Sequence, residues 1–140
     1  MMQARNLQEV TREVEGFRDA LGHPMDLKII PLVIGLQRWG VKTTMSCQGH
    51  PDALRFPWVM IEWNSLPLAC ALVMQNYSDK LLSSSNIVWV LEPWVSPRIR
   101  TREQGLWKLP RLQQEAIALG VFLQTIPDDY FAAAPFFATL

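Results

Sequence analysis

An α+β fold is predicted by this sequence, with helices laid mainly on one face of a small mixed sheet of three or four strands as a two-layer sandwich. Three observations carry that expectation. Apolar residues recurring at three- and four-residue steps mark helices near both ends of the chain. Short runs rich in β-branched and aromatic side chains lie between them. The resulting order is helix, helix, strand, strand, helix, strand, strand, helix, and no internal repeat interrupts it.

Leu7, Val10, Val14, Phe17 and Leu21 form the first apolar stripe, with Glu9, Arg12, Glu13 and Glu15 between them. This predicts an amphipathic helix ending near Gly22 and Pro24. A second helix is expected over about residues 29–39, where Pro31 fits the first turn and Gly40 the C-terminal stop. Residues 41–46 read as a strand. Residues 58–63, WVMIEW, are almost continuously apolar and read as a second strand buried on both faces or close to it. Asn64 or Ser65 offers an N-cap, and Pro67 a first turn, for a helix reaching about Tyr77. Residues 81–86 are a loop by composition, and 87–91 a third strand. Pro93 and Pro97 bracket a break, after which 98–102 alternates charged and uncharged side chains like a half-exposed edge strand. Pro110 opens a last helix to about Leu123, with Leu112, Ile117, Leu119 and Phe122 available for its buried side.

At 140 residues, a single domain over residues 1–140 with one core is expected. Apolar residues make up 49% and charged residues 19%, which is enough for a core and too little charge for a disordered chain. The formal net charge is zero, so coating of nucleic acid or membrane by bulk charge is not expected. No apolar run approaches the roughly 20 residues that span a bilayer. The charged start is unlike a secretory signal, and two cysteines cannot form a disulfide framework, so a cytoplasmic protein is expected.

The stretch TTMSCQGHPD, residues 43–52, is where chemistry concentrates. Its connection to the next strand is longer than the two to five residues of an ordinary hairpin loop. Thr43, Thr44 and Ser46 supply hydroxyls, Cys47 a thiol and His50 a group that titrates near neutrality. Gly49 is free to take a positive φ and so to turn successive backbone N–H groups onto an anion. A phosphate-bearing small molecule or nucleotide is therefore the expected ligand of residues 46–50. The ordinary alternative is that Gly49 closes a turn and His50 caps it. Cys47 as a nucleophile with His50 as base lacks an evident third orienting group, and a small buried thiol is the simpler expectation. No metal site is expected, because a structural zinc site wants four Cys or His ligands and the chain holds two of each. Cys70 reads as core and His23 as a helix-ending residue.

Arg98, Arg100 and Arg102 stand at period two, so an extended backbone places them on one side. With Lys108 and Arg111 they make residues 97–111 basic against the single Glu103, whereas residues 1–27 carry Arg5, Arg12 and Arg18 against five carboxylates. Guanidinium groups fork onto phosphates, so the row suits a nucleotide or an RNA backbone; a solvated edge strand that discourages sheet-to-sheet pairing explains it as well. Six tryptophans are expected to fill the core, with one or two left near the arginines to stack a base. The tail, residues 127–140, carries no charge after Asp129 and holds Phe131, Phe136 and Phe137. It is expected to dock on the domain or to cover a partner subunit, with a homodimer the favoured assembly.

From Pro31 to Trp63 the chain resembles the signature region of the tRNA methyltransferase family that acts third in wybutosine synthesis. Members place a helix, a short strand and a T-x-S-S-C-[SA]-G-R-like turn before another strand. The matching letters here are Thr43, Thr44, Met45, Ser46, Cys47, Gln48, Gly49 and His50, preceded by Leu36 and Gly40. Met45 and His50 depart from the serine and arginine of that pattern. The resemblance implies S-adenosylmethionine as cofactor and methyl transfer to RNA as an alternative function. The turn also resembles an S-C-[EQ]-G-H pattern in small bacterial proteins. A non-enzymatic, oligomeric interaction protein is the third expectation.

Overall fold

The computed structural model describes residues 4–52, 56–80, 89–92, 96–101 and 108–129, the side chains of 75–80 excepted. Its elements run α1 (Leu7–Glu15), α2 (Ile30–Arg38), β1 (Thr43–Cys47), β2 (Trp58–Ile61), α3 (Leu66–Lys80), β3 (Trp89–Glu92), β4 (Arg98–Thr101) and α4 (Leu109–Thr125). A short 3-10 turn, Trp63–Ser65, leads into α3. The α+β class and the order of elements agree with the sequence expectation. The sheet is not mixed: its order is β1-β2-β4-β3 and each neighbouring pair is antiparallel. α3 leads from β2 to β3, which run parallel to each other, but β4 lies between them and pairs antiparallel with both. No helix among the described residues is long and apolar enough to cross a membrane.

α2 is the centre of the molecule. Every residue from Leu32 to Arg38 is buried, as expected of a helix packed on more than one side. α4 lies across it, and the two backbones touch at glycines. A Cβ on Gly120 would stand 2.3 Å from the Pro31 carbonyl carbon, and one on Gly35 would stand 2.7 Å from Leu123 Cβ. The buried side of α4 is Leu112, Ala116, Leu119, Gly120 and Leu123, with Gln113 and Glu115 buried beside them. Ile117 and Phe122, expected on that side, are only half-buried, because the crossing glycines turn the helix so that its small residues face α2. The end of α4 is tied down by α2: Arg38 and Trp39 Nε1 both donate to the Leu123 carbonyl at 2.8 Å, and Arg38 also pairs with Asp128.

α1 is capped by Asn6, whose side chain accepts the Glu9 N–H, and it buries Val10 and Val14 against α2. It ends at Glu15, well before the expected Gly22. The Asp19 carboxylate accepts the N–H groups of Leu21 and His23, and Arg18 bridges to Pro24. Local side-chain capping by Asp outcompetes continuation of the helix here. Phe17 and Leu21, expected in the apolar stripe, are consequently exposed, and His23 closes this turn.

The sheet is two-faced. Val59, Ile61, Ile99, Thr101 and Trp89 are buried on the side of the helices, and the registers Val59↔Ile99 and Trp89↔Thr101 place them side by side. The other face carries Trp58, Met60, Arg98, Arg100 and Glu92, all half-buried. β2 alternates between buried Val59 and Ile61 and half-buried Trp58 and Met60, so its second face is covered in part, with Trp58 and Met60 on the arginine side.

Candidate functional site

The chain reverses direction just after β1, and Gly49 makes that possible. Its φ is +87°, it is buried, and a Cβ there would lie 2.7 Å from Leu109 Cδ1 and 2.9 Å from the Phe56 carbonyl carbon. Only glycine satisfies both the left-handed backbone and the close approach. The turn brings Cys47 and His50 back toward Asp26, in the segment that precedes α2. Ligand atoms of Asp26, Cys47 and His50 all lie within 4.8 Å of one another. Asp26 and Cys47 are half-buried, and His50 is exposed.

Hydrogen bonds fix this corner from three directions. The Gln48 N–H donates to Asp26 Oδ2 at 3.3 Å, and the Gly49 N–H donates to Cys47 Sγ at 3.3 Å. The Gln48 side chain accepts the Lys28 N–H. From α4, Gln113 Nε2 donates to the Gln48 carbonyl while its Oε1 accepts from Lys28 Nζ. Gln113 is buried, so its amide is a fixed strut rather than a solvated side chain. The His50 imidazole stands 3.6 Å from Asp26 Oδ2.

The thiol of Cys47 is held in its protonated form. Burial pushes its pKa above the ordinary thiol value, the Gly49 N–H on the sulfur works the other way, and the Asp26 carboxylate adds to the rise through its charge and a hydrogen bond. A nucleophilic cysteine needs the reverse, a depressed pKa with an imidazole between thiol and carboxylate. Here the thiol's hydrogen-bonded neighbour is the Asp26 carboxylate, which also stands 3.6 Å from His50 Nε2. The backbone cradle is also turned inward: the Gln48 N–H is taken by the chain's own Asp26 and the Gly49 N–H by Cys47 Sγ.

The remaining expected site residues divide into two groups. Thr43 lies at the far end of β1, where its hydroxyl accepts from Gln37 Nε2 at 2.7 Å. Thr44 is exposed where the β1–β2 register slips, and Ser46 is half-buried opposite Val59. Arg98 and Arg100 share the outer face of the sheet. Both pair with the single carboxylate of Glu92, and their guanidinium carbons stand 5.5 and 5.0 Å from the Phe56 ring centroid. Phe56 therefore joins the two regions, with its backbone against Gly49 and its ring under the arginines. Arg102 lies outside the described residues, as do Trp94, Trp107 and the end of the tail from 130 onward.

Asp26, Lys28, Gln113 and Glu92 escaped the sequence reading. Asp26 sits in a stretch with no motif, so only the fold reveals it. Gln113 carried a usable signal, being a polar side chain adjoining the apolar stripe of the last helix. Comparison of the chain with family models, with curated proteins and with solved structures finds no match.

Proposed function

We propose that this chain is a small-molecule-binding domain whose site is the corner formed by Asp26, Cys47 and His50, and whose ligand is anionic, of the phosphate-bearing or nucleotide class. The observation that carries this reading is the convergence of those three side chains at a partly exposed corner braced from α4. Reactive groups gathered on a rigid scaffold are what a binding site requires, and packing alone does not call for them. The charge at the rim favours an anion. Lys28 is exposed there, and behind Phe56 two guanidinium groups share one carboxylate. The ligand meets these side chains, since the N–H groups of Gln48 and Gly49 are already engaged.

The reading carries with it a cytoplasmic protein that assembles as a homodimer through the apolar tail. Calorimetric titration of the full chain with nucleoside mono-, di- and triphosphates, and separately with S-adenosylmethionine, tests it. Nucleotide binding that weakens roughly tenfold in His50→Ala, about 1.4 kcal/mol, is the expected result. Binding of S-adenosylmethionine in place of nucleotides would establish the methyltransferase reading instead. Silence toward both classes leaves the interaction-protein reading standing.

A further inference from the structure

We propose that Asp26, Cys47 and His50 are the protein ligands of a zinc-class divalent cation, with a fourth position left open to the ligand of the corner. This rests on the corner being the functional site and names the cofactor held there. The count of cysteines and histidines that argued against zinc concerned closed, four-ligand structural sites and left carboxylates out. Open sites of the catalytic type use three protein ligands, drawn from sulfur, imidazole nitrogen and carboxylate oxygen. This corner presents one of each.

The geometry fits that chemistry. Tetrahedral ligation at about 2.0–2.3 Å places ligand atoms roughly 3–4 Å apart. The three atoms here already lie within 4.8 Å of one another, with His50 Nε2 3.6 Å from Asp26 Oδ2. His50 is exposed and its side chain is therefore free to swing the small remaining distance. Cys47 and His50 are separated by two residues on a turn that only Gly49 permits, so the backbone presents both toward the same point.

A second set of observations points the same way. Ligand atoms of metal sites are oriented by hydrogen bonds from a surrounding shell. The Gly49 N–H donates to Cys47 Sγ and the Gln48 N–H donates to Asp26 Oδ2. Both donors stabilise negative charge on the atoms that would ligate. Gln113 and Lys28 hold Gln48 in turn. On binding, the cation replaces the thiol proton, which leaves to solvent, and a metal–sulfur bond forms with no change of oxidation state. A soft thiolate beside imidazole and carboxylate selects zinc or cobalt over magnesium or calcium.

Cobalt(II) titration of the untagged full chain, followed by zinc displacement, decides the matter. A near-ultraviolet thiolate-to-cobalt band is expected, with one equivalent bound and a zinc dissociation constant of about 1 μM or tighter. Cys47→Ser should abolish the band, His50→Ala and Asp26→Asn should each weaken zinc at least about tenfold, and Cys70→Ser should change neither. His50→Ala alters an exposed residue, and circular dichroism of each variant separates ligand loss from unfolding. Absence of the band, or its persistence in Cys47→Ser, would overturn the proposal. Nucleotide titrations run with and without chelator keep the two readings apart. Nucleotide binding without any metal binding sinks the cation and spares the site. Zinc binding with no anionic ligand spares the cation and sinks the ligand class.

Discussion

Gly49 concentrates more constraint than any other residue of the site. Its positive φ and its contact with the Phe56 backbone leave no room for a side chain. Gly49→Ala is expected to destabilise the protein by about 2–4 kcal/mol, from left-handed strain plus overpacking against backbone. Urea denaturation measures it, and a change under 1 kcal/mol would mean the turn is softer than its geometry implies. The neighbouring thiol yields a pH prediction. Burial and the Asp26 carboxylate favour the neutral form of Cys47, so the thiolate that reacts with iodoacetamide becomes populated only above the usual thiol range. In metal-free protein, alkylation of Cys47 read by peptide mass spectrometry should therefore rise with pH later than that of a small thiol in the same tube. A faster rate for Cys47 near neutral pH would contradict this environment.

At the level of elements, the crossing of α2 and α4 positions the corner. α4 delivers Gln113 to the Gln48 carbonyl from one end, and its other end is anchored by Arg38 and Trp39 on the Leu123 carbonyl. The close approach at Gly120 sets the separation of the two axes. Gly120→Ala would press a methyl group into the Pro31–Leu32 backbone, which cannot yield as a flexible side chain does. A loss of about 2–3 kcal/mol is expected, visible as a lowered urea midpoint. Because Gln113 sits two turns along the same helix, the variant should also weaken ligand at the corner. A fully stable Gly120→Ala protein would show that the helices have room to part. On the sheet, Arg98 and Arg100 each take one oxygen of Glu92, so the arginine row is in part a structural ladder across β3 and β4 and not a bare solvent-facing cationic stripe.

For the whole molecule, the open question with the sharpest test is assembly. Phe131, Phe136 and Phe137 lie in a tail without charge after Asp129, and each phenylalanine left in water forgoes roughly 1.5–3 kcal/mol relative to burial. Sedimentation of the full chain is expected to show a dimer at micromolar concentration, and a version ending at Asp129 a monomer. A monomeric full-length chain removes the dimer from the proposed function.

The sequence by itself determined which segments became helices and strands, their order and the α+β class, because hydrophobic period, proline placement and turn residues are local properties. It also determined that something unusual happens at Gly49, since a glycine next to a histidine and two residues after a cysteine, in an overlong connection, is visible in the letters alone. Where α1 ended was not legible, because the Asp19 turn competes with the helix through side-chain hydrogen bonds that periodicity does not weigh. Nor was the antiparallel order β1-β2-β4-β3, which depends on which edges meet in space. The site was half legible: Cys47, Gly49 and His50 are neighbours in the chain. Asp26 comes from the loop before α2, Gln113 from α4 and Glu92 from β3, and only the packing of those elements brings a carboxylate to the thiol, a buried amide to the turn and a shared partner to the two arginines. Tertiary structure therefore decided the chemistry of the corner, since protonation, charge and ligation depend on which groups stand a few ångströms apart, and that separation is set by the fold and not by the spacing of letters.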